Sequence, residues 1–257
     1  MSGGPVLLAH DVHAPEHEQA VVLLHSLALD RRVWRDMIGP LSRTRAVVAL
    51  DLRGHGQSPR DDAFTVEDMA DDVARTLDEI GLDSVTAIGM SMGGCVAQAL
   101  AVRHPGQVEA LGLVDTTAWY GEDAPRAWAE RADKAQQDGL ASLAEFQLTR
   151  WFTDGFRQQH QDVCRELLEV FAANEVASYA AACRALGSAD LREGVSGLDL
   201  PAVIVVGEHD AATPPADARD LHERLPGSHL HIVSETKHLT AVERPDEVLA
   251  QLSRLLD

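Results

Sequence analysis

Hydrophobic positions along this chain fall into short solid runs separated by stretches of helical spacing. The runs lie at residues 6–9, 20–24, 46–50, 84–88, 108–114, 202–206 and 230–233. They are rich in Val, Ile, Leu and Ala without polar alternation, which suits strands buried on both faces. Between them the period changes. Val66, Met69, Val73, Leu77 and Ile80 recur at helical intervals and predict a helix over 66–80, which Gly81 ends as a C′ residue. Strands and helices alternating in this way predict an α/β fold with a mostly parallel sheet flanked by helices.

The alternation breaks between Thr116 and Asp190. That stretch holds no strand-like run, only helical patterns rich in Ala, Glu, Gln and Arg, together with three of the four tryptophans. The expected organisation is a core made of residues 1–115 and 191–257, with an all-helical cap at 116–190 inserted between two parallel strands. Such an insertion belongs over the carboxyl edge of the sheet, where folds of this kind place their ligands. A length of 257 residues suits one domain with an insertion.

The candidate chemistry begins at Gly89-Met90-Ser91-Met92-Gly93. It follows the apolar Val85-Thr86-Ala87-Ile88 and precedes the helix-forming Gly94-Cys95-Val96-Ala97-Gln98-Ala99. A serine on a sharp strand-to-helix turn is pushed out of the backbone with its hydroxyl exposed. The pattern alone is common by chance, and the alternative is a glycine-lined turn with a solvent-facing serine; the strand–turn–helix setting carries the argument. A serine hydroxyl is a poor nucleophile until an imidazole takes its proton, and the imidazole needs a carboxylate to set its tautomer. Asp210 follows the run at 202–206, and His238 follows the run at 230–233, each just past a carboxyl end. With 12 histidines in the chain, position and not rarity selects His238. Competitors for the acid are Glu208, on the same loop as Asp210, and Asp115, at the end of an earlier strand. The oxyanion needs two N–H donors. By position these are the backbone amides of Met92, directly after the serine, and of Leu27, in the loop His25-Ser26-Leu27-Ala28. His25 reads as a brace for that loop, and His55 as part of a fixed turn at 51–58.

Composition removes several classes of function. A net charge of −19 without any Lys/Arg block argues against nucleic acid and anionic membrane as partners. No apolar run approaches the roughly 20 residues of a membrane span, and Met1-Ser2-Gly3-Gly4-Pro5 lacks a signal-peptide pattern. Three widely spaced cysteines read as reduced thiols of a cytoplasmic protein. No Cys/His cluster and no Gly-x-Gly-x-x-Gly turn is present, so neither metal nor organic cofactor is expected. The sequence leaves oligomeric state open, a homo-oligomer included.

Together, the His25-Ser26 loop, residues 51–58, Gly89–Gly93, Asp210 and His238 resemble the α/β-hydrolase superfamily along the whole chain. Within it, His25-Ser26-Leu27, Leu148-Thr149-Arg150-Trp151-Phe152-Thr153, Tyr179-Ala180-Ala181-Ala182-Cys183-Arg184-Ala185-Leu186 and Ala212-Thr213-Pro214-Pro215 resemble the 3-oxoadipate enol-lactonases. Two departures are His209, where an acidic residue is usual, and Ser234-Glu235-Thr236-Lys237, which lacks the usual small residues. The resemblance implies a cofactor-free serine hydrolase that opens a small carboxylated lactone. Alternatives sharing the scaffold are a carboxylesterase or lactonase on another small ester, a cofactor-free haloperoxidase or perhydrolase, and a non-catalytic ligand-binding member. An anionic substrate of so acidic a protein needs a close guanidinium. Arg150 is the leading choice, with Arg126, Arg131 or Arg157 next among the cap cations, and Trp151 and Trp119 as candidate pocket walls.

Overall fold

In a computed structural model the protein is described from residue 4 to residue 256, so Met1–Gly3 of the amino-terminal stretch read above lie outside the described residues. Seven strands form one sheet: β1 (His10–His13), β2 (Ala20–Leu24), β3 (Ala46–Leu50), β4 (Val85–Met90), β5 (Val108–Val114), β6 (Ala202–Gly207) and β7 (His229–Val233). Their order is β1-β3-β2-β4-β5-β6-β7, parallel throughout except for β1, which pairs antiparallel with β3. β2, β3, β4 and β6 are buried at every position, as expected of parallel strands covered on both faces.

The helices are α1 (Arg35–Leu41), α2 (Val66–Glu79), α3 (Met92–Arg103), α4 (Ala124–Asp138), α5 (Ala144–Trp151), α6 (Asp154–Gln159), α7 (Gln161–Ala172), α8 (Val176–Ser188), α9 (Arg192–Ser196), α10 (Pro215–Arg224), α11 (Thr240–Glu243) and α12 (Pro245–Leu252). α2 starts at a capping box, in which Thr65 and Asp68 satisfy each other's backbone N–H, and ends at Gly81 with φ +76°. α4 to α8 all fall between β5 and β6, and an isolated bridge between Trp119 and Asp190 closes the foot of that helical stretch. None of the described helices is long and apolar enough to cross a membrane.

One expected strand is displaced. Residues 6–9 do not enter the sheet; β1 lies just beyond them. The backbone donors of this stretch are taken by side chains: Val6 N–H by Asp72 (2.7 Å), Leu8 N–H by Thr76 (3.0 Å) and Ala9 N–H by Ser58 (2.9 Å). With the amides of Val6, Leu8 and Ala9 satisfied in this way, the segment has little left to offer a ladder. The pairing passes instead to the polar His10–His13, which forms the edge of the sheet.

The chain leaves β2 in one direction to reach β3 and crosses back to the other side of β2 for β4. The crevice between the carboxyl ends of β2 and β4 is therefore a topological switch point, the usual ligand position in open α/β sheets. Ser91 and Leu27 lie at its two sides.

Candidate active site

β4 ends at Met90 and α3 begins at Met92, which leaves Ser91 alone in the turn with φ +54° and ψ −115°. A residue with a side chain in this conformation carries about 1–3 kcal/mol of strain, and four contacts hold it there. Ser91 N–H donates to the Val114 carbonyl at 2.9 Å. The Ser91 carbonyl accepts from the amides of Gly94 and Cys95 and from the Thr116 hydroxyl at 2.8 Å. The flanking glycines are required by space. A Cβ on Gly89 would strike the Gly93 carbonyl, and one on Gly93 would strike the Leu24 carbonyl at the end of β2.

His238 stands in the loop between β7 and α11, with Nε2 2.9 Å from Ser91 Oγ and Nδ1 2.8 Å from Asp210 Oδ2. Asp210 stands in the loop after β6. Its Oδ1 accepts the amides of Ala212 (2.7 Å) and Thr213 (3.1 Å), and its Oδ2 accepts the Thr213 hydroxyl (2.9 Å). Every donor around the carboxylate thus addresses its charged form. Burial by itself would raise the Asp210 carboxyl, but the facing His238 and these hydrogen bonds hold it below its ordinary value. With Nδ1–H donated to Asp210, Nε2 keeps the lone pair that can take the Ser91 proton.

The competing acids stand elsewhere. Asp115 accepts Gly207 N–H (3.1 Å), Thr240 N–H (2.8 Å) and the Thr240 hydroxyl (2.6 Å), so it ties β5 to the end of β6 and to the loop carrying His238. Burial and the neighbouring Asp210 charge push its carboxyl well above the usual range. Glu208 is exposed and accepts the Glu235 amide at 3.0 Å. His25 donates Nδ1–H to the Ser26 carbonyl and accepts Leu52 N–H on Nε2 (2.9 Å), bracing the loop that presents Leu27. His55 packs against it with ring centroids 5.2 Å apart; burial, aided by His25, lowers its pKa to about 3. Leu27 N–H donates to no protein acceptor among the described residues, and Met92, as the first residue of α3, has no partner within its helix. Both amides are available to an oxyanion.

A cavity of about 60 Å³ lies between Ser91 and His238 on one side and α4 and α5 on the other. α4 contributes Trp128 and Arg131, and α5 contributes Gln147, Arg150 and Trp151, sets spaced so that each falls on one helix face. Arg131 Nε donates to the Tyr179 hydroxyl of α8 at 2.7 Å and its guanidinium lies over the Trp128 ring. Arg150 donates to the Ala211 carbonyl at 3.0 Å and lies over Phe146. Burial and the neighbouring Arg131 charge lower its pKa. Among the described residues neither arginine has a carboxylate within 4.0 Å. Arg126 and Arg157 do, pairing with Asp123 and Asp154 away from the cavity.

Of the two tryptophans expected as walls, Trp151 lines the cavity and Trp119 does not. The Trp119 ring is covered by the Arg192 guanidinium at 3.6 Å, beside the Asp190 bridge at the foot of the helical stretch. Gln147, Tyr120 and Trp128 escaped the sequence reading, although the spacing of Trp128 with Arg131 and of Gln147 with Arg150 and Trp151 was available as a signal.

A parallel sheet bearing a strained, hydrogen-bonded serine at the end of its fourth strand defines a class. A family model described as the alpha/beta hydrolase fold matches residues 19–154, and the chain belongs to that family. Its relatives include ester and lactone hydrolases. The chain is 28% identical over 243 residues to 3-oxoadipate enol-lactonase 1 of Acinetobacter baylyi, covering 94% of this chain and 90% of the relative. It is 31% identical to a pimeloyl-[acyl-carrier protein] methyl ester esterase of Neisseria meningitidis, covering 87% and 72%. The crystal structure of the enol-lactonase from Burkholderia xenovorans LB400 superposes with a TM-score of 0.92 at 31% identity, covering 97% of this chain and 96% of that one.

Proposed function

We propose that this protein hydrolyses a small carboxylated lactone, with 3-oxoadipate enol-lactone as the leading substrate and 3-oxoadipate as its product. Residues 116–190 act as a cap that closes over Ser91 and supplies the carboxylate site. Ser91 Oγ attacks the lactone carbonyl carbon while His238 Nε2 takes its proton, and Asp210 stabilises the imidazolium so formed. The amides of Leu27 and Met92 hold the oxyanion. The ring C–O bond then breaks, and the enol oxygen leaves with the proton from His238. Water activated by His238 releases the acyl group from Ser91, and the enol tautomerises to the ketone. No step calls for a cofactor.

The observation that carries this reading is the presence of two arginines, without acidic partners among the described residues, in the wall of the cavity that holds Ser91 and His238. In a chain of charge −19, a cation left unneutralised beside a nucleophile suits an anionic substrate. The test is kcat/KM on the enol-lactone against p-nitrophenyl acetate and butyrate. Preference for the lactone is expected, and equal or better turnover of the neutral esters would overturn the reading. One observation favours a second reading, an esterase for larger acyl groups: an outer hollow of about 670 Å³ adjoins the cavity and shares Arg131, Gln147 and Arg150 with it.

A further inference from the structure

Gln147 is 2% exposed, and its side-chain Nε2 is buried with no hydrogen-bond partner among the described residues. Buried amides are normally paired, because an unpaired one forfeits its hydrogen bonds to water without replacement. Other buried polar atoms here also lack partners, such as His13 Nε2, Trp34 Nε1 and Gln98 Oε1, but Gln147 Nε2 is the one that belongs to the wall of the Ser91 cavity. Its backbone is not free to turn the group away. The carboxyl end of α5 is pinned to the His238 loop, where Lys237 Nζ donates to the Thr149 carbonyl at 2.7 Å and Leu239 N–H donates to the Trp151 carbonyl at 3.2 Å. Gln147 lines both the cavity of about 60 Å³ and the outer hollow, so it stands at the neck between them. Arg131 and Arg150 stand at the same neck.

Two cations and one neutral amide read different oxygens. A guanidinium prefers a carboxylate, whereas a carboxamide hydrogen-bonds an uncharged carbonyl or enol oxygen at no electrostatic cost. We propose that Gln147 is a specificity-determining residue that hydrogen-bonds a neutral oxo or enol oxygen of the substrate while Arg131 and Arg150 hold its carboxylate. The ligand class is then an oxo-acid, or an ester or lactone of one, as distinct from a plain carboxylic ester. This rests on the cavity being the substrate site proposed above and adds the second oxygen that the site selects.

The experiment is competitive inhibition of p-nitrophenyl acetate hydrolysis by 3-oxoadipate and by adipate, which differ by the one oxo group. In the wild-type protein 3-oxoadipate binds about three- to tenfold more tightly than adipate, the span of one neutral hydrogen bond. In Gln147→Met, which keeps the length and removes the amide, that difference falls to within about twofold. Its Tm is equal or higher, since an unpaired buried amide has been removed, and the ratio of the two Ki values reads the oxo group whatever the turnover of p-nitrophenyl acetate. Gln147→Glu, a second variant of the same shape, weakens both dicarboxylates by placing a like charge at the neck. An equal Ki for the two acids in the wild type, or a difference that survives in Gln147→Met, overturns the proposal. So does a fall in Tm with parallel loss of p-nitrophenyl acetate turnover, which marks a structural residue. A wild-type protein that leaves the enol-lactone intact, but whose Ki difference vanishes in Gln147→Met, refutes the named substrate and not this assignment.

Discussion

The two walls of the cavity are built on opposite principles. On the sheet side, Ser91, His238 and Asp210 have nearly all their hydrogen-bonding capacity committed to one another and to nearby backbone. On the helical side, Gln147 Nε2 pairs with nothing and the arginines face no carboxylate among the described residues. A closed network pins geometry, because any movement breaks several bonds at once. An open one is costly in the empty protein and leaves groups for a ligand to complete. On the function proposed above, the difference gives bond making to the sheet wall and substrate choice to the helical wall.

The sharpest break in this comparison comes from Ser91→Ala. Removing the proposed nucleophile should cost about six decades in kcat, the scale of such a loss in a serine protease, with Tm little changed because Ser91 packs no core. Near-normal turnover in folded Ser91→Ala protein would detach the sheet wall from chemistry altogether. Next in size is Asp210→Asn, expected to lose about four decades, since an amide neither holds the productive tautomer nor stabilises the imidazolium. Asp115→Asn, in contrast, should appear chiefly in stability, at about 1–3 kcal/mol for a buried acceptor lost. A reversed ranking of these two would move the acid to β5.

The helical wall should respond differently. Arg150→Ala, and separately Arg131→Ala, should lower kcat/KM on the enol-lactone about ten- to a hundredfold relative to p-nitrophenyl acetate, the loss of one charge-assisted hydrogen bond. If both substrates fall together, the arginines support the fold and do not discriminate.

A last expected effect, on stability and not on turnover, lies behind the sheet wall. His55 is held neutral down to a pKa of about 3, while the unfolded chain takes up a proton near 6.5. The unfolded state binds more protons between those values, so stability falls as pH drops through that window. From pH 7 to pH 5 the loss attributable to His55 is about 2 kcal/mol. Denaturant melts of wild type and His55→Asn at the two pH values measure it, and identical pH slopes would contradict the assignment.

Several parts of this protein are legible in the chain because their signals are local. β2, β3 and β6 are runs of apolar β-formers bounded by turns, and α2 carries its capping box and terminal glycine within itself. Gly89 and Gly93 mark a turn so crowded that side chains there would strike backbone. Asp210 and His238 are found by counting from strand ends, since parallel strands deliver their carboxyl-terminal loops to one edge.

Other features depend on partners far away in the chain. Residues 6–9 have a strand's composition, but Asp72 and Thr76 of α2 take their amides, and the register passes to His10–His13. Trp119 and Trp151 look alike as candidate pocket walls; a guanidinium from Arg192 covers the first, and the packing of α5 turns the second inward. Arg131 and Arg126 sit on the same helix, yet contact with Tyr179 of α8 aims one at the cavity while the other meets Asp123 in solvent. The strands, the serine turn and the edge on which Ser91, Asp210 and His238 meet are all legible in the chain, because they follow from backbone sterics and short-range pattern. Which side chains of α4 and α5 face Ser91, and that Gln147 Nε2 has no partner among the described residues, emerge only in three dimensions, because a helix's rotation about its axis is set by what packs against it.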